Sequence, residues 1–147
     1  MKTFTRVSLF VLAVVLFAAC SPKAAPTPAA FQGDNPYAPQ AGDSAMLRGD
    51  IKIDSASLAL AESYPVQVML NFAYFQPTPC FQLRVEVSQP NSQDRITVSA
   101  YAVAKKDKPC ALMALATPLQ ASLNLGSFPK GHYSLWLNDS NVGEFDS

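Results

Sequence analysis

The sequence predicts an all-β domain in which two sheets of short strands pack face to face as a sandwich. Three observations predict it. Apolar side chains in roughly the last hundred residues, enough for one modest core, recur with a period of two instead of 3.6. Clusters of Pro, Gly and Asn separate these runs at short intervals. Upstream of about residue 44 the composition changes to Pro, Ala and Gln, with almost no apolar periodicity.

The strands follow in order. Ile51 and Ile53 begin the first, and the parity of the apolar positions changes before Leu58, which calls for a bulge or a switch of sheet near 55–57. Val66, Val68, Leu70, Phe72 and Tyr74 line the second, after a turn at Glu62-Ser63-Tyr64-Pro65. Phe81, Leu83, Val85 and Val87 alternate with Gln82, Arg84, Glu86 and Ser88, so one face of a third strand is apolar and the other polar. Ile96, Val98, Ala100 and Ala102 repeat the pattern after a Pro90-Asn91-Ser92-Gln93 turn, closing a hairpin. Leu119, Ala121, Leu123 and Leu125 form a fifth strand, Tyr133, Leu135 and Leu137 a sixth, and 142–146 a seventh. Seven short alternating strands with such turns match a Greek-key sandwich of immunoglobulin type. The Ala, Leu and Met run at 110–116 fits either a short helix or a strand.

Ahead of this domain stand two segments of different character. Lys2 and Arg6 precede an apolar run over 7–19, the pattern of a signal peptide. The run is too short to span a bilayer, which takes about 20 residues. It ends in Phe17-Ala18-Ala19-Cys20, which resembles the lipobox of bacterial lipoproteins and implies that Cys20 is acylated, with palmitate-type chains holding the protein to the membrane. Residues 20–43, with Pro22, Pro26, Pro28, Pro36 and Pro39, read as a tether able to hold the domain roughly 50–70 Å from that membrane. The expected organisation is a signal peptide at 1–19, a tether at 20–43 and a sandwich domain at 44–147, exported and facing away from the cytoplasm.

Of the three cysteines, Cys20 is assigned to lipid, which leaves Cys80 and Cys110 as a pair in an oxidising compartment. Their spacing suits neither a zinc site nor a CxxC redox motif, so a structural disulfide is expected.

Three stretches carry a family likeness. Glu62-Ser63-Tyr64-Pro65-Val66-Gln67-Val68, the Cys80 and Cys110 pair, and Leu125-Gly126-Ser127-Phe128-Pro129-Lys130-Gly131-His132-Tyr133 resemble small Ig-like domains of bacterial lipoproteins, over roughly residues 50–146. In those domains an Asn-Gly hairpin joins the last two strands. Asn138-Asp139-Ser140-Asn141 stands in its place here, which suggests a longer turn. The resemblance implies a fold and a location and brings no activity with it. Gly131 suits a tight corner, and Tyr133 is placed like the tyrosine of an Ig-type corner.

The chemistry of the remaining residues narrows the function classes. Of 11 basic and 11 acidic residues, Lys2 and Arg6 leave with the signal peptide, so the mature chain is slightly acidic. A nucleic-acid partner would need clustered cations, and the one cluster, Lys105-Lys106-Asp107-Lys108, reads as a solvated loop. His132 is the single histidine, and Ser134 two residues on is too far along a strand for a nucleophile relay. Asn138, Asp139 and Asn141 offer oxygens that fit a polar turn better than a calcium ion. The expectation is therefore no enzyme, no metal and no cofactor.

Two functions fit. The first is a cell-envelope binding or scaffolding module recognising a protein or glycan. Trp136 shares the outward parity of His132, Ser134 and Asn138, and in an Ig-type sandwich its strand pairs with the one carrying Arg84 and Glu86. Trp136, Arg84 and Glu86 are the candidate binding face. The second is an enzyme inhibitor presenting Phe75-Gln76-Pro77-Thr78-Pro79-Cys80 as a Pro-stiffened loop.

Overall fold

The computed structural model describes residues 33–108, 110 and 116–147. The expected signal peptide at 1–19, Cys20, the first part of the expected tether and 111–115 of the 110–116 run lie outside the described residues. Eight strands occur among the described residues where seven were expected: β1 (Leu47–Gly49), β2 (Lys52–Ala61), β3 (Gln67–Phe75), β4 (Gln82–Val87), β5 (Arg95–Ala104), β6 (Leu119–Gly126), β7 (His132–Leu137) and β8 (Ser140–Asp146). The added strand is β1, whose three residues are too few to show a period. No described helix is long and apolar enough to cross a membrane.

The strands form two sheets, one of β2, β3 and β6 in that order and one of five strands around β5. Alternation places Val68, Leu70 and Phe72 of β3 and Leu123 and Leu125 of β6 on the inner side of the first sheet. They meet Val85 of β4, Ile96 and Val98 of β5, and Leu135 and Leu137 of β7 in a common core, so each sheet buries one face against the other. The parity change in the first long strand is a bulge, since the β2–β3 register shifts between Ile53 and Ser55 and leaves Asp54 unmatched.

The β4–β5 hairpin runs from Gln82 opposite Val103 to Val87 opposite Val98, and its open end brings Cys80 to Cys110. The two are disulfide-bonded, with their Cα atoms 5.9 Å apart at a sequence separation of 30.

The expected neighbour of β7 is corrected by the pairing. Trp136 does not lie on a strand beside Arg84, because β5 stands between β4 and β7. The parallel pairing of β5 with β7 covers Arg95 to Val98, while β1 pairs with Ala102 to Ala104 farther along the same edge. Asn138 fills the gap between them. Its side-chain Oδ1 accepts from the Ala100 N–H at 2.8 Å and its Nδ2 donates to the Ala100 carbonyl at 3.2 Å. Its own backbone N–H donates to the carbonyl of Val98 at 2.8 Å. The carboxamide thus takes the place of one peptide unit of a strand.

The turn holding Asn138 is also tighter than expected. Leu137 sits opposite Ser140, so only Asn138 and Asp139 make the turn, with Asn138 at φ 45°, a region asparagine tolerates better than most residues. The glycine with positive φ near the preceding corner is Gly126, at φ 80°. Gly131 serves by lacking a side chain, since a Cβ there would lie 3.2 Å from the ring of Tyr133.

The tether expected over 20–43 joins the domain in its last part. The Tyr37 carbonyl accepts from the Val85 N–H at 2.8 Å, and Asn35 Nδ2 donates to the Val85 carbonyl at 2.8 Å. Asp43, in a short 3-10 turn (Asp43–Ala45), accepts from Arg84 Nε at 2.7 Å and from its Nη2 at 3.2 Å. Asn35, Tyr37 and Asp43 thus contact the domain, because the edge of β4 and the cation on it find partners there.

Candidate functional site

The outer face of the five-stranded sheet is built by the same alternation that makes the core. On β4 and β5, Arg84 lies opposite Tyr101 and Glu86 opposite Ser99. On β5 and β7, Arg95 lies opposite Ser134 and Thr97 opposite Trp136. Trp136, Arg84 and Glu86 thus share one face of one sheet, with the outward side chains of β5 separating the tryptophan from the other two.

That face divides into two halves. In the half over β4, Arg84 is 5% exposed and committed to Asp43, whose carboxyl is held below its ordinary 3.8, first by the hydrogen bond from Arg84 and then by the backbone bond at Gln40. Glu86 accepts a hydrogen bond from the Tyr101 hydroxyl at 2.7 Å. Arg48 from β1 covers the Tyr101 ring, its guanidinium carbon 3.6 Å from the centroid. These groups satisfy one another, which the sequence did not reveal because Asp43 lies 41 positions from Arg84.

The other half centres on Trp136, half-buried between the buried Leu135 and Leu137. The guanidinium carbon of Arg95 lies 3.8 Å from the indole centroid, a cation–π stack. Arg95 Nε is buried without a hydrogen-bond partner. The arginine beside the indole is Arg95 and not Arg84, because β5 and not β4 is the neighbour of β7. Beyond Trp136 toward β8, His132 Nδ1 is 2.8 Å from Asp146 and its Nε2 is 3.3 Å from Glu144. The hydrogen bond with Asp146 is the main cause raising the His132 pKa above 6.5. Both ring nitrogens thus face carboxylates, an arrangement that favours the imidazolium and leaves neither nitrogen directed at Ser134.

Two further surfaces bear on the expected functions. In the loop proposed for inhibition, Thr78 is only 9% exposed, and its hydroxyl donates to Cys110 Sγ at 2.9 Å, a disulfide sulfur having no proton to give. The middle of that loop turns inward. Lys105, Lys106 and Lys108 border a cavity of about 480 Å³ beside the disulfide, floored by Met46, Leu47 and Phe81. No group of three or more His, Cys, Asp or Glu that could hold a metal ion occurs among the described residues.

Compared with protein-family models, curated proteins and solved structures, the chain matches none.

Proposed function

We propose that this protein is a lipid-anchored binding module of the cell envelope, recognising an extracytoplasmic protein or glycan with the outer face of its five-stranded sheet. One observation carries the reading: Trp136 stands half-buried on that face with Arg95 stacked on it at 3.8 Å. Tryptophan and arginine dominate interaction hot spots, and a pair already ordered in the free protein lowers the entropy lost on binding. The contact centre is Trp136 with Arg95. Arg84 and Glu86 form its internally satisfied border. As a finer reading of the fold, we take the sandwich as a variant of the Ig-type Greek key in which β5, parallel to β7, comes between the two strands expected to pair directly. The Tyr133 hydroxyl donating back to the Pro129 carbonyl at 2.9 Å supports it, in the manner of a tyrosine corner.

Cross-linking and pull-down from envelope extract test the surface. The Trp136→Ala variant is expected to keep the circular dichroism of the wild type and to lose most of its capture of the partner the wild type retains. Undiminished capture removes Trp136 from the binding surface, and unfolding assigns it to the core. The anchor is tested separately with radiolabelled palmitate, which should enter the wild-type chain and not Cys20→Ala. Equal labelling of both shows that Cys20 carries no lipid.

A further inference from the structure

We infer that β2 is a self-pairing edge, through which two copies of this chain join their three-stranded sheets into one continuous sheet. Among the described residues β2 pairs only with β3, so the backbone groups along its other side are open. Long exposed edges recruit further strands unless a sequence guards them with charge, proline or a bulge. In β2 these guards are confined to the beginning, at Lys52, Asp54 and the bulge beside it. From Ser55 to Ala61 the sequence Ser-Ala-Ser-Leu-Ala-Leu-Ala has no charge, proline or glycine.

This strand also leaves apolar surface uncovered. Leu60 lies opposite Val68, which is fully buried, so Leu60 points to the core side of the sheet. It is nonetheless 46% exposed. Leu58 is better covered, because β8 passes beneath it at Gly143. The other edge of the sheet, β6, buries Ala121, Leu123 and Leu125 and has no comparable apolar surface to cover.

The occupant follows from the charges at the ends of the strand. Antiparallel pairing of two copies about Ser57 sets Ser57 opposite Ser57 and Ala56 opposite Leu58. It also carries Lys52 of each copy to the Glu62 end of the other. Opposite charges therefore meet at both ends and none opposes another in the centre. Residues directly opposed in an antiparallel pair share a face, so on the core side Leu58 of each copy gains Ala56 opposite and Leu58 diagonally from the second, while Leu60 reaches Ala56 diagonally and lies opposite the bulge at Asp54. This is an isologous contact, which closes at two copies.

Cysteine cross-linking tests the pairing on the full chain in membranes of the expressing cells. Ser57→Cys is expected to form an interchain disulfide on mild oxidation, because opposed Cα atoms about 4.5–5.5 Å apart fall within the disulfide range. Ser55→Cys alone should not exceed the wild-type background, whereas Ser55→Cys co-expressed with Ala59→Cys should cross-link. Ser57→Lys, on the exposed outer side, should leave the circular dichroism unchanged and abolish the dimer in chemical cross-linking. The inference is overturned if Ser57→Cys stays monomeric while its thiol remains open to a maleimide, or if all three positions cross-link equally.

Discussion

Replacing Asn138 with alanine is expected to lower the stability of the domain by about 2–4 kcal/mol, since a partly buried donor and acceptor each cost about 1–3 kcal/mol when left unmet. The donor and acceptor are the N–H and carbonyl of Ala100, both held by the Asn138 carboxamide. Alanine adds strain at φ 45°, which asparagine tolerates better. Asn138→Gly separates the two effects, because glycine accepts the backbone angle and still lacks the amide. Urea denaturation should place the glycine variant between wild type and alanine. A glycine variant as stable as the wild type would show that water replaces the carboxamide without loss. Asn138→Asp should be worse than Asn138→Gly near neutral pH, since a carboxylate oxygen would then face the Ala100 carbonyl.

Converting Cys80 and Cys110 together to serine is expected to cost about 3–4 kcal/mol on the chain-entropy account, a large fraction of the net stability of a domain this size. The bond closes a loop with a sequence separation of 30 and is also the acceptor for Thr78. Denaturant midpoints of the oxidised wild type and the double variant give the difference. A loss well under 1 kcal/mol would mean that the loop is already ordered in the unfolded chain.

The alternation in the sequence specified much of this fold, and its limits are physical. A period of two tells which face of a strand a residue occupies, so the inward sets of β3, β4, β5, β6 and β7 and the outward Trp136 could all be read in advance. It does not tell which strand lies alongside. The hairpin of β4 and β5 was legible because a short turn enforces it, whereas the parallel pairing of β5 with β7 joins segments separated by the whole of β6. Trp136 was therefore placed on the correct face and given the wrong arginine. The ion pair between Asp43 and Arg84 was hidden for a related reason. A proline-rich stretch shows no period, yet two of its backbone and side-chain groups fit the open edge of β4. The role of Asn138 left no pattern at all, because an asparagine in a turn ordinarily explains itself.

The way the chain enters the domain has a mechanical consequence. A pull applied at the N-terminal end reaches first the bonds of Asn35 and Tyr37 to Val85, then the Asp43 ion pair with Arg84, then the ladder between β1 and β5. These fasteners act in series, and all of them grip the β4–β5 hairpin, whose open end the disulfide ties to Cys110. Tension can therefore strip the leading segment one attachment at a time while the covalently closed hairpin bears the remaining load. The sheet of β2, β3 and β6 lies off this line of force, and a domain tugged from its leading end would shed its first residues well before its core yields.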